Sequence, residues 1–432
     1  MTDQEPIHLT IDKVVPGGSG LGFHAGKAVF VPFTAPGDRL LAEVTRTRSG
    51  CLFARCVEIL EAGAERVDPA CALFTLCGGC QLRHLSLSCQ QVVKGDFVRE
   101  TLSRFPNLRG VTVETTWAAA QQGDGYRCRA GFKVRWLASG LLLGFFQTAS
   151  HRVADLGDGC PVLEPRLNRL LAPLRRVIGE LSVRHRLPQV DAVVGEQGVG
   201  LVFHLLAEPS AADRAHLLAF AEQQGVLQVW LQRGRKTALQ PLVRREELFY
   251  CLDEHRLTFR PGDFIQAHLT GNRLLVQEAL RLGGRGARAW DLFCGVGNFT
   301  LPLAQQFDQV LGVEGYTPAL QRAEANARQY PSARVHFAAL DLFQEAQLAR
   351  LAREPLPDLV LMDPPREGAL LLARWLVTSA VRRLVYLSCN PATFARDAAI
   401  LVHGGFTLQR VQPIDLFPHT CHLELVALFV RP

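Results

Sequence analysis

No stretch of this sequence stays apolar long enough to cross a bilayer: runs such as "LLLGFF" (141–146) fall far short of the roughly 20 residues a membrane helix needs. Low-complexity tracts and fixed-period repeats are lacking too, which excludes a solenoid and a largely disordered chain. The opening "MTDQEPIHLT" has no basic-then-apolar signal pattern, so a cytoplasmic protein with no membrane association is expected. A length of 432 residues excludes a disulfide-stapled miniprotein and leaves room for about three domains, each with its own core. Apolar residues make up 48% and charged residues 20%, the composition of a folded chain. Lys and Arg number 47 against 41 Asp and Glu, a net +6, which favours a polyanionic partner without identifying one.

The cysteines are few but unevenly placed. Cys71, Cys77 and Cys80 cluster, whereas most of the twelve sit singly in apolar strands. In a reducing compartment a cluster suggests metal and singletons suggest core packing.

Three textures follow one another along the chain. Residues 1–66 alternate short strand-like runs with Pro-Gly and Gly-Gly turns, as in "PGGSGLGFHAGK" and "AVFVPF", which predicts a small antiparallel β-barrel of oligonucleotide-binding type. Residues 67–257 are mixed α+β, with a helix from about Cys89 to Arg104, strands in "YRCRAGFKVRW" and "GLLLGFFQ", and a loop running into an amphipathic helix within 155–181. From 258 to 432 apolar strands alternate with helical segments, which predicts an α/β domain with a parallel, doubly wound sheet. Ligands bind such a sheet at the carboxyl ends of its strands.

The chemistry-bearing motifs lie at those strand ends. In "DLFCGVGNF" (291–299) Gly295 and Gly297 lack side chains where a strand turns into a helix, so a ligand can approach the backbone. Glu314 ends the next apolar strand at the spacing of an acid that grips ribose hydroxyls, and Asp341 ends the one after. That pattern suits a dinucleotide or S-adenosylmethionine. In "DLVLMDPPRE" two prolines after Asp363 make a rigid turn without backbone donors, holding that carboxylate and Arg366 at the strand's mouth. Acid-Pro-Pro turns favour the methyl donor.

"LVYLSCNPATFARD" (384–397) sets a thiol where a buried strand ends. Asn390 is a good N-cap and Pro391 a good first helical residue, so Cys389 is expected beside a helix N-terminus with its pKa lowered to a nucleophilic thiolate. Methylation of pyrimidine carbon 5 needs such a thiol: carbon 5 attacks a methyl group only after a thiolate has added to carbon 6, and a base must then remove the carbon-5 proton. Glu424, on an apolar strand where an acid is wasteful unless it faces the site, is the expected base, with His419 and His422 as alternatives.

Cys71-x5-Cys77-x2-Cys80 provides three thiolates for one metal, and Cys160 in "DGCPV" is the best fourth; the spacing leaves zinc and an iron-sulfur cluster both open. In "YRCRAGFKVRW" (126–136) Arg127, Arg129, Lys133 and Arg135 share one face of an extended run, with Tyr126, Phe132 and Trp136 nearby to stack on unpaired bases. This reads as an RNA track or, equally, as a charged edge strand.

Taken together, "GDFIQ" (262–266), "DLFCGVGNFTLPLA", "DPPREG", "YLSCNPATFARD" and "FPHTCHLEL" (417–425), in this order, resemble the RNA uracil-5-methyltransferase family over essentially the whole chain. The resemblance is to its branch acting on 23S ribosomal RNA, whose N-terminal module is a TRAM domain and whose four cysteines hold a [4Fe-4S] cluster. It therefore implies a class I, Rossmann-like methyltransferase domain over 258–432, a TRAM barrel over 1–66, and Cys71, Cys77, Cys80 and Cys160 as cluster ligands. It further implies Cys389 as nucleophile and Glu424 as base. Gln266, Phe293, Asn298, Glu314, Asp341 and Asp363 fall where the family binds S-adenosylmethionine, and Phe264 and Arg366 near the target base. Asp341 departs from relatives that carry an amide there. The tRNA-specific branch is expected to lack both module and cluster, which argues against tRNA, and no obligate protein partner is indicated. The rival readings are a cytosine-5 RNA methyltransferase and a catalytically silent RNA-binding assembly factor.

Overall fold

Glycine-punctuated runs of apolar residues give the first part of the chain its own sheet. The computed structural model describes residues 5–119, 123–234 and 238–432. Strands β1 (Ile7–Thr10), β2 (Lys13–Val14), β3 (Ser19–His24), β4 (Lys27–Pro32), β5 (Arg39–Arg48) and β6 (Cys51–Glu61) lie in the order β1-β5-β6-β4-β3-β2. All pairs are antiparallel except β4 with β6. A side chain at Gly22 would start 2.2 Å from the Thr10 carbonyl oxygen, so glycine is what lets β3 press against β1 and curl the sheet. Leu9, Ile11, Val29, Val31 and Leu40 fill the small core.

The middle of the chain contributes β7 (Trp117–Ala118) and then a mostly antiparallel sheet. Its strands are β8 (Arg129–Leu137), β9 (Gly140–Phe146), β10 (Val153–Asp155), β11 (Gln189–Val194), β12 (Val199–Leu205), β13 (Gln228–Arg233) and β14 (Gln240–Arg244), in the order β10-β9-β8-β11-β12-β13-β14. The amphipathic helix Pro165–Glu180 buries Leu167, Leu170, Leu171, Leu174, Val177 and Ile178, a 3-4 spacing that turns one stripe to the core. Strands β15 (Leu248–Leu252) and β16 (His255–Phe259) form a hairpin.

The third sheet comprises β17 (Gly286–Leu292), β18 (Phe307–Glu314), β19 (Val335–Ala339), β20 (Leu359–Met362), β21 (Arg383–Ser388), β22 (Thr407–Asp415) and β23 (Glu424–Val430), ordered β19-β18-β17-β20-β21-β23-β22-β7. Strands β17 to β21 run parallel, and β23 runs antiparallel to both neighbours. Every residue of β20 is buried, as a strand covered on both faces requires. Chain order reverses between β17 and β20, which opens a crevice at their carboxyl ends. Residues 87–118, expected with the middle section, pack instead on this third sheet. The helix Leu87–Ser103 shares a core with Leu401, Phe406 and Val411, its buried Lys94 meets Asp415 at 2.5 Å, and β7 adds to the edge strand β22. No helix of the described residues is long and apolar enough to cross a membrane.

Candidate active site

The crevice is built from the turns that follow β17, β18, β20 and β21. After β17 the backbone takes positive φ at Phe293 (66°), Gly295 (55°) and Gly297 (95°), which glycine adopts at little cost. A Cβ on Gly295 would meet nothing within 4 Å, so this edge of the loop is an open cradle. Glu314 comes in from β18, and its carboxylate accepts from Gly295 N at 3.0 Å and Tyr316 N at 2.7 Å. Asp341 lies beside it: a Cβ on Gly315 would sit 3.4 Å from the Asp341 Cα. Asp341 accepts from Phe343 N at 3.0 Å and Gln344 Nε2 at 2.7 Å.

Two exposed aromatics, Tyr316 and Phe343, join these acids, with the Phe343 ring 5.6 Å from that of Phe293. The sequence reading missed both, although each follows a strand-end acid by two residues. It also passed over Asp291, a fully buried carboxyl whose pKa is pushed up to about 7 by burial and by the charges of Asp363 and Glu314. Two expected cofactor residues are held by contacts within the protein. The Asn298 amide exchanges hydrogen bonds with Asn272 (2.8 and 3.0 Å) and accepts from Tyr250 OH at 2.8 Å, so it braces the glycine loop. Gln266 is buried, its carbonyl facing the Cys128 thiol.

Strand register brings the expected nucleophile and base together. Ser388 pairs with Leu425 across the antiparallel β21–β23 ladder, which brings Cys389, the residue after β21, to the start of β23 where Glu424 sits, close enough for the Glu424 charge to act on the thiol. On the other side of β21 the parallel β20 ends one residue before Asp363, and Asp363 N donates to Leu292 O at 3.2 Å, tying this acid to the glycine loop. Asn390 caps the helix Pro391–His403 as expected, its Oδ1 accepting from Ala392 N at 3.1 Å. Its Nδ2, with the Thr393 hydroxyl, donates to the Arg366 carbonyl at 2.9 and 3.1 Å. The cap therefore also fixes the Pro-Pro turn that presents Arg366.

The electrostatics overturn one expectation. The Cys389 pKa is not lowered but raised to about 12, by burial, then by Glu424 and Asp363, against a smaller pull from Arg366. A helix N-terminus contributes only about 0.3–1 kcal/mol, too little against a desolvated site with two carboxyl groups. Asp363 is itself raised to about 7 by burial. Glu424 stands well above the ordinary carboxylate range because it is buried and faces Asp363. The resting site thus holds a protonated thiol beside Asp363, which exchanges its proton near neutral pH, and beside Glu424, whose carboxyl burial favours in the protonated form. Of the alternative bases, His422 is lowered to about 4 by burial and by Arg366, and His419 is engaged with Gln90; neither has the register position of Glu424.

Cys71, Cys77, Cys80 and Cys160 wall one cavity of about 660 Å³. Among the described residues no three Cys, His, Asp or Glu side chains converge closely enough to chelate an ion. The thiols nevertheless sense one another: Cys160 is raised by burial and also by Cys71 and Cys77. Arg83 enters the same cavity, 4% exposed, its Nη groups paired with Asp124 and its Nε–H without a hydrogen-bond partner. Four thiols and a buried guanidinium with a spare donor fit an anionic tetrathiolate group.

Along β8 the even positions Ala130, Phe132 and Val134 are buried and the odd ones face out, which puts Arg129, Lys133 and Arg135 on one side. The expected stacking aromatics are corrected by the same alternation. Phe132 is core, and the buried Tyr126 stacks on His268 at 4.9 Å. The exposed ring is Phe264, 69% accessible, with the Arg129 guanidinium 5.9 Å from its centre. Arg127 and Lys133 line the cysteine cavity.

Comparison with known proteins covers the whole chain. The family model described as tRNA (uracil-5-)-methyltransferase matches residues 108–431. A 23S rRNA (uracil(1939)-C(5))-methyltransferase of Aeromonas hydrophila is 36% identical over 432 residues, spanning 100% of this chain and 97% of the relative. One of Aromatoleum aromaticum is 39% identical, spanning 98% and 99%. Among solved structures, the Pyrococcus abyssi tRNA (uracil-54, C5)-methyltransferase in complex with S-adenosyl-L-homocysteine superposes with a TM-score of 0.74 at 24% identity, over 98% of this chain and 100% of that one. That likeness establishes the α/β methyltransferase fold. The match extends across the strand-rich N-terminal part, so this one tRNA-directed protein has a counterpart of it.

Proposed function

The chain belongs to the tRNA (uracil-5-)-methyltransferase family, and we propose that it transfers a methyl group from S-adenosylmethionine to carbon 5 of a uridine in 23S ribosomal RNA, acting in the cytoplasm. The observation that carries this reading is the convergence of Cys389 and Glu424, the residues next to the Ser388–Leu425 pair of β21 and β23, with Asp363 and the open glycine cradle. The choice of ribosomal RNA over tRNA follows the names of the sequence relatives, because architecture does not discriminate between them.

In this reading residues 258–432, with 87–118 packed on their sheet, are a class I methyltransferase domain, 1–66 a TRAM barrel and the rest of 67–257 the cluster-bearing part. Glu314 and Asp341 take the ribose and adenine side of the cofactor, with the Gly295–Gly297 loop and Phe293 beneath it and Asp363 at its reactive end. When bound, the cofactor supplies an electrophilic methyl on a sulfonium. The target uridine leaves its stack at a cost of a few kcal/mol, held by Phe264, Arg129 and Arg366. Cys389 passes its proton to the neighbouring Asp363 carboxylate, whose pKa of about 7 suits the exchange, as its sulfur bonds to carbon 6, which drives the ring's electron pair onto carbon 5 as an enolate. Carbon 5 bonds to the methyl carbon as the bond to the sulfonium sulfur breaks. Glu424 then takes the carbon-5 proton, the 5,6 double bond re-forms, and the Cys389 thiolate leaves. A carboxyl held above its ordinary range suits a proton transfer near neutral pH.

Cys71, Cys77, Cys80 and Cys160 would hold a [4Fe-4S] cluster, with Arg83 against its negative charge; methyl transfer moves no electrons, so no step is assigned to it. The test is nucleoside mass spectrometry of ribosomal RNA incubated with the enzyme and its methyl donor. 5-Methyluridine is expected with the wild type and none with Cys389→Ala, while Glu424→Gln accumulates a covalent RNA adduct. 5-Methylcytidine, or full methylation by Cys389→Ala, would overturn the proposal.

A further inference from the structure

The loop 416–423, which delivers Glu424 to the start of β23, takes many of its ties from the cysteine-bearing segment. Gln81 N and Leu82 N both donate to His419 O at 2.9 Å. The Gln81 side chain spans the two parts: its Nε2 donates to Gly78 O at 2.8 Å, within the Cys77–Cys80 turn, and its Oε1 accepts from Cys421 N at 3.3 Å. From the following helix Gln90 Oε1 accepts from His419 N at 2.6 Å. His419 sits at φ 69°, a left-handed conformation that a histidine keeps only where its surroundings impose it. Thr420 and His422 form part of the wall of the cavity lined by the four thiols. The loop that aims the base is thus fastened to the cysteine-bearing turn, within which Gly79 N donates to the Cys77 sulfur at 3.4 Å.

We propose that the cysteine site positions the catalytic loop, with Gln81 as the positioning residue that couples them, so that the state of that site controls proton removal by Glu424 and release of the product. The proposal rests on the reading of Glu424 as base and of the four cysteines as metal ligands. Cofactor binding at the ends of β17 and β18 lies outside the coupled region and is spared.

The test compares wild type and Gln81→Ala, each as the purified holoenzyme and after metal removal by a chelator. It measures metal content, hydrogen exchange of a peptide spanning 417–424, S-adenosylhomocysteine binding, and covalent adduct with a ribosomal RNA fragment. Loss of the Gln81 amide should speed exchange at Cys421 about tenfold, the worth of one buried hydrogen bond. Metal content and S-adenosylhomocysteine affinity should stay unchanged while the covalent adduct accumulates. Metal removal should produce the same acceleration in the wild type and add little in Gln81→Ala. Unchanged exchange in Gln81→Ala, fully additive effects of the two perturbations, or an equal loss of cofactor binding would overturn the coupling. A wild-type protein purified without iron or zinc would refute the metal reading alone. The Gln81→Ala arm then decides: faster exchange with adduct accumulation sustains the positioning role, and wild-type behaviour ends it.

Discussion

Replacing Glu424 with Gln should change how Cys389 ionises, and the change has a distinctive shape. Opposed residues in an antiparallel ladder have Cα atoms about 4.5–5.5 Å apart. Two unit charges about 5 Å apart at an effective dielectric of about 20 repel by about 3 kcal/mol, equivalent to about two pH units. The raised Cys389 pKa, about 12, owes its largest charged contribution to Glu424. That repulsion acts only once Glu424 has lost its own proton, which burial delays. Alkylation of Cys389 by iodoacetamide, followed by mass spectrometry of its peptide, should therefore rise alike in both proteins at low pH. Above the point where Glu424 ionises, the wild-type rate should flatten, while the Glu424→Gln rate keeps climbing tenfold per pH unit. The separation should reach about 100-fold before the wild type rises again. Superimposable profiles up to pH 10, or a slower variant, would refute the placement of the two groups against each other.

Four further outcomes are expected. Lys94→Met leaves Asp415 as an unpaired buried charge and should cost about 3–5 kcal/mol in urea denaturation, part of which Asp415→Leu in the same chain restores. Asp291, raised from 3.8 to about 7, keeps a proton in the folded state that the unfolded chain has lost. Stability therefore falls as pH rises from about 4 to 7, by on the order of 4 kcal/mol. Asp291→Asn lacks that loss, so its urea midpoint should gain on the wild type between pH 5 and pH 8. Arg129→Ala should weaken RNA binding and lower the slope of affinity against salt by about one if the guanidinium meets a phosphate. Phe264→Ala should weaken binding by about 1–3 kcal/mol, the worth of a stacked base, without changing that slope.

How much of this could be read from residues alone differs from feature to feature. The Asn390-Pro391 start of a helix needed only local capping chemistry and stands as expected, as does the outward basic side of β8, a consequence of period-2 alternation. The same alternation went unused at Phe132, which is buried. The partners that hold Asn298 (Asn272 and Tyr250) come from elsewhere in the chain and have no local signature. Helix Leu87–Ser103 lies in sequence beside the middle section, yet its buried side belongs to the C-terminal core.

The sequence by itself determined which residue types end which strands: a thiol before a capped helix, an acid before two prolines, glycines after an apolar run. Such features depend on backbone sterics and neighbours a few residues away, so they are written locally. The tertiary structure decided who faces whom. Register across β21 and β23 set Glu424 against Cys389, folding brought Cys160 to the cavity of Cys71, Cys77 and Cys80, and burial beside two carboxyls reversed the thiol's expected acidity. Desolvation and charge repulsion depend on distances between segments far apart in the chain, and those distances exist only once it has folded.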